Sequence, residues 1–166
     1  MNPRRAGDGL PALVSLIPAV LIAYYVLGKA TRDALFVANV GLPRLPLASA
    51  VGAFLSLAVL PVVSRFTVRL GPARFLFRMF AITAVLLVAE WAIGLRNPRL
   101  ASIVAYLQLA SSGPFLISGF WSWLNERIEP RGGKSTVGRL VAMGTLGGAF
   151  GGALGLELAK TAAPAL

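Results

Sequence analysis

The chain has 166 residues, of which 57% are hydrophobic and 13% charged, with a formal net charge of +10. Soluble domains carry about 25% charged residues, so this sequence has too little charge to cover a surface in water. It contains no cysteine and no histidine, which excludes disulfides and the usual zinc sites. The basic residues lie between apolar runs, as in membrane-protein loops, so we expect no nucleic-acid partner, no metal and no other cofactor.

Apolar runs of about 20 residues recur along the whole length, and each is long enough to cross a bilayer as a helix. The sequence therefore predicts an all-α fold, a polytopic transmembrane helical bundle that forms one domain over residues 1–166. Its partner is the lipid bilayer. The predicted spans are 9–40, 45–64, 75–95, 100–125 and 140–158.

The end of the first span has two interpretations. Residues 29–41 could form an outer loop, or the helix could continue towards Val40 before Gly41 and Pro43 stop it. We favour continuation, because the segment ALFVANV is too apolar for an ordinary loop. Continuation places Lys29, Arg32 and Asp33 within the helix, with Lys29 and Asp33 one turn apart.

A short basic loop is predicted at 65–74, where Gly71 and Pro72 break the helical pattern. Glu90 lies towards the far end of the third span. A second loop contains the stretch GGKST at 132–136, which invites a phosphate-loop interpretation. Ile128 occupies the position of the first glycine of that motif and no strand precedes it, so we expect a flexible turn instead.

The fifth span has glycine along one face, at spacings of three and four residues. At about 100° per residue these glycines fall within an arc of about 140°, which permits close helix packing in lipid. We expect the packing face to consist of Gly144, Gly147, Gly148, Gly151, Gly152 and Gly155.

Five spans place the two termini on opposite sides of the membrane. The side that holds the amino terminus carries ten of the Lys and Arg residues and the other side six. We therefore expect a multi-pass protein of a bacterial inner (plasma) membrane with a cytoplasmic amino terminus. The ten are Arg4, Arg5, Arg65, Arg69, Arg74, Arg78, Arg127, Arg131, Lys134 and Arg139.

Charges inside membrane helices cost about 2.5–3.5 kcal/mol each on insertion scales, so they normally face a cavity or a partner. We interpret Lys29, Arg32, Asp33 and Glu90 as a substrate-binding or ion-coupling set. The alternative is that the first three snorkel or lie in an outer loop. The few acidic residues form no catalytic constellation, so we do not expect an enzyme.

Three stretches together resemble the major facilitator superfamily, in its ATP/ADP-translocase-like branch. They are VSRFTVRLGPAR, TRDALFVANVGLPRLP and FWSWLNERIEPRGGKSTVGRLVAMGTLGGAFGGALG, in matching order and spacing. In the first, Arg69 and Gly71 match the cytoplasmic loop signature of the superfamily, and Arg74 would supply its terminal basic charge. Val68 stands in place of its aspartate, and Pro72 and Ala73 in place of its basic pair.

The resemblance implies the amino-terminal half of a twelve-helix transporter that works by alternating access. It places Arg32 at a basic substrate-binding position, but Leu109 at a position that is acidic in nucleotide exchangers. Leu109 counts against ATP/ADP exchange, so the substrate stays unassigned: a nucleotide or another anionic solute. Five spans lack the sixth helix and the whole second half of that fold, so the expectation is a fragment, or one part of an assembly with a second half or with further copies. The alternative is a small multi-pass scaffold or subunit without transport activity.

Overall fold

The computed structural model describes residues 12–126 and 133–162, and the side chains of residues 16–126 and 136–158 among them. The described residues form five α-helices and one short 3₁₀ turn, with no strand between them. The helices are α1 (Ala12–Asn39), α2 (Leu45–Leu70), α3 (Pro72–Gly94), α4 (Pro98–Asn125) and α5 (Gly133–Ala162), and the 3₁₀ turn is Leu42–Arg44. The predicted all-α fold class is confirmed.

Four segments of the described chain are long and apolar enough to cross a membrane, which supports an integral membrane protein. They are Leu42–Leu70, Pro72–Gly94, Pro98–Asn125 and Thr136–Leu158. Helix α1 is not among them, and the predicted first span begins at residue 9, outside the described residues, so its crossing stays a prediction. Arg4, Arg5, Arg127 and Arg131, on which the predicted orientation depends, also lie outside the described ranges.

Helix α1 runs without interruption through Lys29, Arg32 and Asp33 and ends at Asn39. The outer-loop alternative for residues 29–41 is therefore wrong. Gly41 follows with a φ of 104°, a backbone conformation that glycine adopts without steric cost, and it leads into the 3₁₀ turn.

The predicted loop at 65–74 is wrong, because helix continues on both sides of Gly71. Helix α2 extends through Arg69 to Leu70, and Arg74 already lies in the first turn of α3. Gly71, with a φ of 75°, is the one residue between the two helices, and Pro72 begins α3. A single left-handed glycine followed by proline at a helix start is sufficient to reverse the chain here.

The predicted turn at GGKST is also wrong for its described residues. Helix α5 begins at Gly133, so residues 133–136 lie in its first turn, while Gly132 is outside the described residues. Helix α4 has a clearer beginning, since Asn97 Oδ1 accepts a hydrogen bond of 3.0 Å from the Leu100 backbone N–H and Pro98 occupies the first turn.

The described chain divides into two compact units. The first contains residues 12–28 of α1 and helix α5. In it, α1 and α5 run parallel, because Pro18 lies near Gly144 and Val26 near Gly152. The contact is very close: a Cβ on Gly147 would collide with the carbonyl oxygen of Ala19.

The glycine face of α5 therefore packs on a matching face of α1. Ala19 and Ala23 lie four residues apart opposite Gly147 and Gly151, and a Cβ on Gly151 would lie 2.8 Å from Ala23 Cα. Small residues at this spacing on both helices allow backbones to approach closely, which is a common way to join helices in lipid. Gly144, Gly148 and Gly152 flank the contact against the side chains of Ile22 and Val26, and Gly155 is half-buried.

The second unit is Lys29–Glu126, and α4 lies at its centre. Helix α4 packs most extensively on α3 and next on α2. Gly94 lies beside Ala101 and Gly119 beside Phe75, so α3 and α4 are antiparallel. Gly52 lies beside Ala110, and Ser49 beside Tyr106, so α2 and α4 are parallel.

Candidate functional site

The second half of α1 brings a charged side chain against α4 within the second unit. The side chain of Arg32 is 13% exposed, and its Nε donates a hydrogen bond of 3.1 Å to Asp33 Oδ1. Its guanidinium carbon lies 4.6 Å from the centre of the Tyr106 ring. An ion pair and a cation–π contact together reduce the cost of placing this charge among apolar helices.

Tyr106 connects three helices at this point. It is 3% exposed, and its hydroxyl shares a hydrogen bond of 2.6 Å with the hydroxyl of Ser49 on α2. Its ring centre lies 4.8 Å from that of Phe36, one turn after Arg32 on α1. The Tyr106 side chain therefore fixes the axial positions of α1 and α2 relative to α4, and the face of its ring positions the Arg32 guanidinium.

A second polar contact lies about one turn nearer the end of α1. Asn39 Nδ2 donates a hydrogen bond of 3.0 Å to Ser102 Oγ, and Ser102 Oγ in turn donates to the Pro98 carbonyl oxygen at 2.8 Å. Since Ser102 precedes Tyr106 by four residues, both side chains lie on one face of α4. We call Arg32, Asp33, Asn39, Ser49, Ser102 and Tyr106 the polar cluster.

The structure brings together only two of the four charges that the sequence singled out. Arg32 and Asp33 lie in the polar cluster, whereas Lys29 is exposed. Glu90 is buried on α3, with no hydrogen bond to the cluster among the described residues. Arg69, Gly71 and Arg74 lie where α2 joins α3, at the far end of α2 from Ser49.

Sequence reasoning missed Tyr106, Ser49, Ser102 and Asn39, which hold the charged pair in place. Neutral polar residues within an apolar run do not by themselves indicate a functional site. One signal was available: Ser102 and Tyr106 are spaced by four on a predicted helix, and so share a face.

The arrangement suits the binding of an anion. Arg32 uses Nε for Asp33, and among the described residues no hydrogen bond is formed by its two Nη groups. A guanidinium with both Nη groups open can donate two parallel hydrogen bonds to a carboxylate or a phosphate. The adjacent Asp33 balances the charge in the absence of such a ligand.

Comparisons of the chain with protein-family models, with curated proteins and with solved structures found no match. The function is therefore inferred from the residues and their geometry.

Replacing Tyr106 with phenylalanine should lower the free energy of unfolding by about 1 kcal/mol, because it removes one hydrogen bond and leaves the Ser49 hydroxyl without its partner. The ring beneath Arg32 remains. Thermal unfolding of the purified protein in detergent measures the change. Replacing Tyr25, a half-buried tyrosine of α1, with phenylalanine gives the control. An equal effect of the two changes would contradict the role of the Ser49 contact.

Proposed function

We propose that this chain is a membrane transporter for an anionic solute, in which Arg32 binds the solute. The observation that carries the proposal is the guanidinium of Arg32, largely buried among helices yet held by Asp33 and Tyr106 with its Nη groups open. A charge in such a place is costly, and it is commonly retained for binding or conduction.

We further propose that the chain belongs to the major facilitator superfamily, in its ATP/ADP-translocase-like branch, and works by alternating access. Support comes from the stretch TRDALFVANVGLPRLP, which contains Arg32, Asp33 and Asn39. Transporters of this general type bind solutes between helices that move against each other. Leu109 stands at a position that is acidic in nucleotide exchangers, which argues against ATP/ADP exchange. The proposal therefore extends to anionic solutes in general.

The proposed location is a bacterial inner membrane with the amino terminus in the cytoplasm. Among the described residues, Arg65, Arg69, Arg74 and Arg78 cluster around the junction of α2 and α3, on the proposed cytoplasmic side. At the opposite ends of these helices, Arg44 precedes α2 and Arg96 follows α3, and Arg99 lies in the first turn of α4. Over the whole sequence the proposed cytoplasmic side carries ten Lys and Arg residues and the other side six, and this excess supports the orientation.

A second candidate is a multi-pass scaffold that does not transport. The specific observation in its favour is that Arg32 and Asp33 already neutralise each other and rest on Tyr106. Such a cluster would also serve to lock α1 to α4 and α2. The two candidates differ in whether Arg32 is needed for solute movement.

Uptake into proteoliposomes that contain the purified chain separates the two candidates. The tested solutes are radiolabelled phosphate, dicarboxylates and nucleotides, each supplied outside with unlabelled solute inside. Replacing Arg32 with alanine should reduce uptake of the transported anion by tenfold or more, since a charge-assisted hydrogen bond contributes about 1.5–3 kcal/mol. Arg44→Ala is the matched control, because Arg44 is exposed and its side chain bonds only to the Val40 carbonyl oxygen among the described residues.

The proposal is supported if uptake falls with Arg32→Ala and persists with Arg44→Ala. Equal uptake by the wild type and Arg32→Ala proteins would refute the assigned role of Arg32. Wild-type vesicles that take up none of these anions would favour the scaffold.

A further inference from the structure

Four polar side chains lie along the contact between α3 and α4, apart from the polar cluster. Helix α3 contributes Thr83 and Glu90, which are seven residues apart and thus on one face, and both are buried. Helix α4 contributes Gln108 and Ser112, spaced by four. Glu90 is 6% exposed and Ser112 is 9% exposed.

The register of the two helices brings Glu90 and Gln108 to neighbouring heights. Because Gly94 lies beside Ala101 and the helices are antiparallel, Glu90 lies opposite about Ala105, one turn from Gln108. Side chains lean towards the amino terminus of their own helix. Glu90 therefore leans towards the height of Gln108, and Gln108 leans towards the height of Glu90.

The polar atoms of three of these side chains have no hydrogen-bond partner among the described residues. Both carboxyl oxygens of Glu90, the amide oxygen and nitrogen of Gln108 and the hydroxyl of Ser112 are buried without a hydrogen bond. The great majority of buried polar atoms in proteins form a hydrogen bond, and an atom that does not requires an explanation. Five such atoms lie along this one helix contact, which therefore has the polar groups to bind a ligand.

No described neighbour neutralises Glu90. Helices α2 and α4 pack on α3, and their titratable or charged residues are Arg65, Arg69, Arg99 and Tyr106. None of them forms a hydrogen bond or ion pair with Glu90 in the described structure. On α1, Arg32 is paired with Asp33 and lies over the Tyr106 ring. Tyr106 points about 100° around α4 away from Ala105, the residue opposite Glu90, so Arg32 lies on a different side of α4.

We infer that Glu90, with Gln108 and Ser112, forms a binding site for one monovalent cation, a proton or a sodium ion. A single carboxylate balances a single positive charge, and groups of three or more His, Cys, Asp or Glu side chains are absent from the described residues. The remaining donors are oxygens, which suit a hard cation. This inference deepens the proposed function by assigning its coupling ion. The coupling of the ion to transport rests on the proposed function, whereas the binding of the ion does not.

Each of the two ions would satisfy most of the unpaired atoms, but by a different arrangement. A proton converts Glu90 to a carboxylic acid, whose O–H can donate to Gln108 Oε1 while Gln108 Nε2 donates to the other carboxyl oxygen. A sodium ion would lie between the carboxylate, the Gln108 amide oxygen and the Ser112 hydroxyl. In both cases the positive charge removes the cost of a bare carboxylate within the helices.

Infrared difference spectroscopy of the full chain in lipid vesicles tests the site, because carboxylate and carboxylic acid groups absorb at separate frequencies. One arm changes the pH at constant salt, and the other exchanges sodium for choline at constant pH. The variants are Glu90→Gln, which keeps the shape, and Gln108→Leu. Glu126→Gln, at an exposed carboxylate after α4, is the control.

A carboxyl signal that appears in either arm, disappears in Glu90→Gln and remains in Glu126→Gln supports the site, and the responding arm names the ion. Gln108→Leu should weaken the apparent affinity by about tenfold, the loss of one hydrogen bond to a charged group. The inference is overturned if neither arm gives a signal that depends on Glu90 while circular dichroism shows the helices intact. The measurement reports ion binding without solute, so a failed uptake assay does not affect it.

Discussion

Leucine at position 147 should separate α5 from the first half of α1. A Cβ added there would overlap the Ala19 carbonyl oxygen and lie 2.6 Å from the Ala19 Cα. Both obstacles are backbone atoms, which cannot move aside by changing a rotamer. Overpacking typically costs about 1–3 kcal/mol, and a backbone collision should reach or exceed the upper end of that range.

Cross-linking measures the separation directly, since the chain has no cysteine of its own. In a Val26→Cys, Gly152→Cys background the two thiols should join on oxidation, because a Cβ on Gly152 lies 3.9 Å from a Val26 methyl carbon. Adding Gly147→Leu should remove most of the cross-linked product and lower the yield in membranes.

Gly138 supplies the matched control on the same helix. A Cβ there meets nothing within 4 Å, so Gly138→Leu should leave the cross-link unchanged. Gly148→Leu should disrupt folding or transport less severely than Gly147→Leu, because its nearest neighbour is a methyl group of Ile22 at 3.3 Å, which can rotate. If Gly147→Leu and Gly138→Leu gave equal cross-linking, the close contact with Ala19 would be refuted.

The helices could be predicted from sequence because lipid leaves the backbone no alternative. In a bilayer every backbone N–H and C=O must be bonded within the segment, so a long apolar run becomes a helix. Their ends were harder to predict. Counting uncharged residues ended the second span at Ser64, whereas α2 continues through Arg65 and Arg69 to Leu70. A long basic side chain can reach the membrane surface from within a helix, so charge does not mark the helix end. Gly71 does.

The polar cluster could be predicted only in part, for a related reason. Arg32 and Asp33 stand out because charge is rare in an apolar run. Tyr106 and Ser49 do not, since neutral hydroxyls are common in such runs, and their importance arises from the meeting of three helices. The spacing within α4 places Ser102 and Tyr106 on one face, but the parallel alignment of α2 with α4 is not encoded in any local pattern.

Removing the carboxylate of Asp33 should destabilise the protein more than its own contacts suggest, because it leaves the Arg32 guanidinium without its anion. Asp33→Ala should lower the free energy of unfolding by about 1.5–3 kcal/mol, the range for a hydrogen bond to a charged group. Arg32→Ala should also lower the free energy of unfolding, because it leaves the Asp33 carboxylate without its cation. Unfolding of the reconstituted protein by denaturant measures both.

The double variant is the decisive measurement. With both charges absent neither is left alone, so Arg32→Ala, Asp33→Ala should cost less than the sum of the single changes, by about 1 kcal/mol or more. Arg44→Ala with Asp33→Ala provides the comparison. Among the described residues Arg44 forms no bond with Asp33 and instead donates to the Val40 carbonyl oxygen, so these two changes should add. Additive costs for Arg32 and Asp33 as well would mean that the pair contributes nothing to the fold, and the counter-charge assigned to Asp33 would have to be abandoned.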